Sequence, residues 1–179
     1  VKRRHPPLPA IWLVTDARND ARLDRLVARL PRGSGVIFRH YHLTDADRRA
    51  RFRQVARLAG ARGILIVLAG SARQARRWGA DGAYGSNKIL AYGPKCPRLM
   101  TVHNLREIGH ARRARADAIL LSPVFPTRSH PGRPALGPVR FRLLASRASE
   151  PVIPLGGMTK TGARRLRWQD WAAIDGLSA

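Results

Sequence analysis

A chain of 179 residues with 44% hydrophobic content can bury one substantial core and is too short for two independent domains. Its formal net charge of +23, from 34 basic and 11 acidic side chains, is nearly all arginine, and a field of that sign attracts phosphorylated metabolites, acidic surfaces or nucleic acid. The single cysteine, Cys96, excludes an internal disulfide and a thiolate metal cluster, and no apolar run approaches the length of a membrane span, so no membrane partner is expected.

Residues 1–10 read as a basic arm carrying Pro6, Pro7 and Pro9. The apolar run 11–14 that follows is too short for a signal peptide, and a reducing cytoplasm is the expected compartment. From there to residue 179 short apolar runs recur, each followed by a polar turn and a helical pattern, as parallel strands with crossover helices do. Strands are predicted over 11–15, 35–39, 63–68, 82–84, 99–102, 118–121, 152–155 and 171–174. Eight such repeats in one domain point to an α/β fold of the (β/α)8 TIM barrel type; an open doubly wound sheet uses the same local pattern and is the rival. A full barrel usually takes roughly 250 residues, so this one must be small.

Helix starts agree with the repeat. Thr44 with Asp47, and Asn104 with Glu107, read as N-caps with a reciprocal carboxylate, and Ser71 caps a helix that ends near Gly79. Phe52, Val55, Ala56, Leu58 and Ala59 recur at helical spacing and leave the intervening arginines outward. Gly93-Pro94 and Pro97 leave room for only a stunted fourth helix, and the few residues after Ile174 leave none for an eighth. The last strand then needs other cover, from the N-terminal arm or from a second copy of the chain in a homo-oligomer.

The arginines spread over predicted outer helix faces, among them Arg22, Arg25, Arg29, Arg48, Arg49, Arg73, Arg76, Arg112, Arg113, Arg164 and Arg165. With aromatics at only 6%, this dispersed charge reads as solvated surface and argues against a nucleic-acid partner; an RNA-associated protein is the remote alternative.

Barrel sites lie after the strands. After the sixth comes a long loop, Ser122-Pro-Val-Phe-Pro-Thr-Arg-Ser-His130, whose hydroxyls and arginines suit a phosphate, against the plainer reading of a stiff proline-rich connector. After the seventh, Gly156 and Gly157 stand where a helix is expected to begin, either as an anion-binding turn or as a simple one. His103 reads as a strand-end packing residue, and His40 and His42 lie near the mouth of the second strand. No histidine or carboxylate cluster has metal-ligand spacing, so no metal site is expected.

Leu121-Ser-Pro-Val-Phe-Pro-Thr-Arg-Ser129 resembles the "GPVFPTxT" loop of thiamin phosphate synthases, and Val152-Ile-Pro-Leu-Gly-Gly-Met158 their "PVxAIGGI" strand. Gly79-Ala-Asp-Gly-Ala-Tyr84 is similar to their fourth strand, Leu99-Met-Thr-Val-His-Asn104 to their fifth, and Leu13-Val-Thr-Asp16 to their first. The likeness spans almost the whole chain, in order, and identifies it as a diverged member of the thiamin phosphate synthase and thiazole tautomerase (TenI-like) superfamily.

That resemblance implies a barrel and, if the chain is active, a transferase that joins hydroxymethylpyrimidine diphosphate to thiazole phosphate with Mg²⁺, releasing pyrophosphate. It carries Arg39, Thr101, Thr127, Ser129, His130 and Gly157 over as positions that hold a phosphorylated small molecule. Ser129 keeps a hydroxyl and His130 stands for a lysine. The catalytic set is not legible. Ala69, Gly70 and Ile89 fall where the family's Mg²⁺ side chains stand, so the metal ligands are lost; Arg128, Arg133 or Lys88 could replace the metal's charge. Asp175 falls on a phosphate-binding position and is expected to repel phosphate, and Pro123 replaces the tautomerase histidine. The alternative reading is a non-catalytic, regulatory barrel that binds a phosphorylated ligand.

Overall fold

In the computed structural model, which describes residues 7–128, 132 and 134–177, the strands are β1 (Ile11–Val14), β2 (Gly35–Phe38), β3 (Leu65–Ala69), β4 (Gly82–Gly85), β5 (Arg98–Val102), β6 (Ala118–Leu121), β7 (Val152–Pro154) and β8 (Trp171–Ala173). All pair in parallel in the order β7-β6-β5-β4-β3-β2-β1-β8, so the first strand meets the last through Ile11 opposite Trp171. Sequential order around the sheet with first and last strands paired is a nearly closed (β/α)8 barrel, not an open sheet with a reversal point. β7 and β8 are neighbours at the junction without ladder pairing.

Strand alternation divides the apolar side chains into two layers. Trp12, Val14, Ile37, Val67, Leu99, Leu120, Ile153 and Ala172 fill the barrel interior. Leu13, Val36, Phe38, Leu68, Ile119 and Leu121 point outward to the helices. The largest interior group, Trp12, fits because Gly35 beside it has no side chain; a Cβ there would collide with the indole ring. Trp12 Nε1 donates to the Pro9 carbonyl at 2.7 Å, and Leu8 packs on the interior cluster, so the described part of the arm closes the N-terminal end of the barrel.

The helices are α1 (Leu23–Arg29), α2 (Asp45–Ala61), α3 (Ala72–Trp78), α4 (Asn87–Leu90), α5 (Leu105–Arg113), α6 (Gly137–Ala145) and α7 (Lys160–Leu166). The Thr44, Ser71 and Asn104 side chains accept from the backbone N–H groups of Asp47, Gln74 and Glu107, and Gly79 ends α3 in a left-handed conformation. α4 is one turn, as Gly93 and Pro94 require, and no helix follows β8 among the described residues. β3 starts at Leu65 rather than residue 63 because Gly63, at φ +64°, still belongs to the turn closing α2.

The last strand does not lack cover: Trp171 and Ala173 are buried in the outer cluster that contains α1 and α7 residues. Nor does Arg48 face outward. It is only 6% exposed and shares the helical stripe of Phe52, Val55 and Ala59. Its guanidinium donates to the Arg39 carbonyl (Nε, 2.8 Å) and the Ala69 carbonyl (Nη2, 2.6 Å) and lies 5.3 Å from the ring centres of both Tyr41 and Trp78. An arginine can be buried there because two carbonyls and two aromatic faces replace its water. No helix among the described residues is long and apolar enough to cross a membrane.

Candidate phosphate-binding mouth of the barrel

The C-terminal ends of the strands surround a cavity of about 380 Å³, lined by Arg39, Tyr84, Thr101, Thr127, Arg128, Gly156, Gly157 and Gly176 among others. One wall is built by the loops after β6 and β7, which are fastened backbone to backbone: Val124 N–H donates to the Leu155 carbonyl (2.9 Å) and Phe125 N–H to the Gly156 carbonyl (3.0 Å). Gly156 and Gly157 both have left-handed φ, +91° and +61°. A side chain at Gly157 would run into the Pro126 carbonyl oxygen and Phe125, so glycine is required twice over, by backbone conformation and by space. The Pro-Val-Phe-Pro segment is therefore a template that holds the double-glycine turn open to the cavity.

That turn is not the start of the next helix, as the sequence suggested. α7 begins at Lys160, and its N-cap is Thr159, whose Oγ1 accepts from Gly162 N–H at 3.1 Å. What the cavity receives is a left-handed glycine turn with Thr127 beside it, a concave backbone surface of the kind that suits an anion.

The facing wall is polar. Tyr84 lines the cavity with Thr101 and Arg39, and burial pushes its phenol above the usual value. The Arg39 backbone N–H donates to Thr15 Oγ1 at 3.0 Å, and its guanidinium lies 3.6 Å from Asp16. Arg48 holds the Arg39 carbonyl from behind, so this cation is positioned from both sides of its backbone. Arg18 reaches Asp16 at 2.8 Å and Asp175 at 3.0 Å. Burial alone would raise the Asp16 carboxyl, but the bonds from Arg18 and the nearby Arg39 outweigh it and hold the group below its usual range. Asp175 lines the same cavity and is paired with Arg18, which it shares with Asp16.

Arg39, Thr101, Thr127 and Gly157 all line this one cavity. Ser129, His130 and Arg133 lie outside the described residues. Arg128 lines the mouth, whereas Lys88 is exposed and is not part of the lining. His103 is not packed at its strand end: it is half exposed, its Nδ1 lies 2.9 Å from Glu107 Oε2, and it lines the rim. His40 is buried away from the cavity, with Thr15 Oγ1 on Nδ1 at 2.6 Å and Asp20 Oδ1 at 2.9 Å from Nε2. Ala69 is buried and offers only its carbonyl, which Arg48 occupies; neither Gly70 nor the half-exposed Ile89 offers an oxygen side chain. These residues do not fit a Mg²⁺ ion at the family's metal position.

Sequence reasoning missed Arg18, Tyr84 and the role of Arg48. Tyr84 was legible as the polar tip ending an apolar strand. The spacing of Arg48, four residues before Phe52, places it on the buried stripe, but the two carbonyls it meets come from other elements. One acceptor of Arg18, Asp16, is local, but the second, Asp175, is brought to it only by the fold.

The family model for thiamine monophosphate synthase matches residues 11–177. The chain is 27% identical over 170 residues to the thiamine-phosphate synthase of a Synechococcus species, covering 88% of this chain and 48% of that one, so it spans about half of that relative's length. It is 26% identical over 191 residues to the thiamine-phosphate synthase of Geobacillus kaustophilus, covering 94% and 81% of the two chains. Among solved structures, thiamine phosphate pyrophosphorylase from Pyrococcus furiosus superimposes with a TM-score of 0.78 at 19% identity, over 94% of this chain and 87% of that one; at that identity the likeness speaks for the fold.

Proposed function

Since the chain belongs to the thiamine monophosphate synthase family, we propose that it is a thiamin phosphate synthase-like protein whose barrel mouth holds a phosphorylated heterocycle, the thiazole phosphate half of the family reaction. The observation that carries this reading is the double-glycine turn, held left-handed by the Pro-Val-Phe-Pro segment and flanked by Thr127. Phosphate oxygens would sit on that turn and the Thr127 hydroxyl. Arg39 and Arg128 would supply positive charge, and Tyr84 with Thr101 would meet the polar edge of the ring. A lone cysteine and the phosphorylated ligand are consistent with work in the cytoplasm.

If the chain joins the two halves, ionisation of the pyrimidine diphosphate must be assisted by arginine rather than by a metal, since Ala69, Gly70 and Ile89 supply no ligands. That same observation favours a second reading, binding without turnover. Calorimetric titration with thiazole phosphate decides the shared premise: saturable binding supports it, and none at millimolar ligand overturns it. Incubation with both family substrates then separates the two readings. Thiamin phosphate above the protein-free control establishes a synthase, and its absence with binding intact establishes a binding barrel.

A further inference from the structure

Asp20, His40 and His42 come together behind the Arg39 wall. Asp20 opens the single 3-10 turn after β1, and the two histidines follow β2; because β1 and β2 are paired in parallel, both loops emerge at the same end of the barrel. One ligand-capable atom from each residue lies within 4.8 Å of the other two, and His40 Nε2 stands 2.9 Å from Asp20 Oδ1. Two ligands bound side by side at about 2.0–2.1 Å from one ion are about 3.0–3.4 Å apart. The existing pair is already at nearly that separation, and His42, on an exposed loop, has freedom to complete the set.

The orientation of His40 is prepared. Its ring stacks on Phe38, with centroids 4.5 Å apart and planes 5° from parallel, and Thr15 Oγ1 engages Nδ1 at 2.6 Å, leaving Nε2 directed at Asp20. Thr15 can serve either tautomer. With Nε2 protonated, the threonine hydroxyl donates to Nδ1; with Nε2 bound to an ion, Nδ1–H donates to Thr15 Oγ1, which also accepts from Arg39 N–H. Burial lowers the His40 pKa, with Asp20 opposing that shift only in part.

The local charge also permits a cation, although the chain as a whole is strongly basic. Arg51 bonds Asp20 Oδ1 at 2.8 Å and Asp24 Oδ1 at 2.7 Å, so two carboxylates face one guanidinium and a net negative charge remains beside the histidines.

We propose that Asp20, His40 and His42 form a binding site for one divalent transition-metal ion of the zinc class, completed by solvent. Two imidazoles with one carboxylate select zinc, cobalt, nickel or copper over magnesium, which prefers oxygen ligands alone. The ion would tie the loop after β1 to the end of β2, and so stiffen the wall that carries Arg39. It stands apart from the family's Mg²⁺ position after β3 and β4, where this chain has no side-chain ligands.

The test is titration of the full, tag-free chain with Zn²⁺ and with Co²⁺ alone, against a chromophoric chelator. The expected result is one ion per chain, visible Co²⁺ absorption bands, a raised thermal midpoint with Zn²⁺, and no competition from millimolar Mg²⁺. His42→Ala changes an exposed side chain and leaves the fold intact by circular dichroism; it should weaken Zn²⁺ binding at least tenfold, with Asp20→Asn acting in the same direction. Cys96→Ser and His103→Ala should leave binding unchanged. Equal Zn²⁺ affinity in the wild type and His42→Ala, or loss of binding on Cys96→Ser instead, would overturn the proposal.

Discussion

Gly157 shows how much a single residue can decide in this chain. Its left-handed φ of +61° is costly for any other residue, and its missing side chain lets the Pro126 carbonyl and Phe125 close over the turn. Gly157→Ala therefore combines strain of about 1–3 kcal/mol with displacement of the loop that carries Thr127. We expect a clear drop in the urea midpoint and at least a tenfold loss of thiazole phosphate affinity by calorimetry. Unchanged affinity in a folded variant would place the phosphate elsewhere. Gly79, also left-handed but with open space around it, is the control: Gly79→Ala should cost stability and leave the ligand alone.

At the scale of elements, the caps were legible and the buried cation was not. Ser, Thr and Asn before a helix signal a cap because the bond they make is local, to a backbone N–H three residues on, as at Thr44, Ser71 and Asn104. Arg48 binds carbonyls of two different strand ends, and only the packing of α2 across β2 and β3 brings them to it. Arg48→Met keeps much of the volume but leaves both carbonyls without their donor; it should destabilise the fold by about 2–3 kcal/mol in urea unfolding. It should also weaken ligand binding through Arg39, whereas Arg49→Met, on the exposed face, should do neither. The cap of α5 predicts a pH response. Glu107 bonds Asn104 Nδ2 and the His103 backbone and ring; burial tends to raise its carboxyl, but these bonds outweigh that and hold it below its usual value. A depressed carboxyl stabilises the fold above the unfolded value of about 4.3, and that contribution is lost as pH falls through the folded value. The thermal midpoint of Glu107→Gln should accordingly lie below that of the wild type at pH 6 and converge with it near pH 3. A constant gap across that range would show that Glu107 acts by packing alone.

For the whole molecule, the dispersed arginines predict a salt response. A net charge of +23 on one small domain repels itself, and screening weakens that repulsion, since the Debye length falls from about 30 Å at 0.01 M to about 8 Å at 0.15 M. The thermal midpoint should rise across that range in sodium chloride; a fall would mean that ion pairs such as Arg51 with Asp20 and Asp24 outweigh the repulsion. The barrel itself was legible because its signals are local and periodic: eight apolar runs, each with a turn and a helical stripe, can be read one at a time. The composition of the mouth was legible in part, through Arg39, Thr101, Thr127 and Gly157, because strand ends mark where a barrel carries its site. The sequence by itself thus determined the repeat, the caps and which residues could meet at the mouth. Only the tertiary structure decided which polar groups face each other across the barrel: Arg18 between Asp16 and Asp175, Arg48 behind Arg39, and His40 turned from the mouth toward Asp20. The physical reason is distance along the chain. A cap or an apolar stripe is satisfied within a few residues, whereas a buried charge is satisfied by whatever the closing of the barrel brings to it.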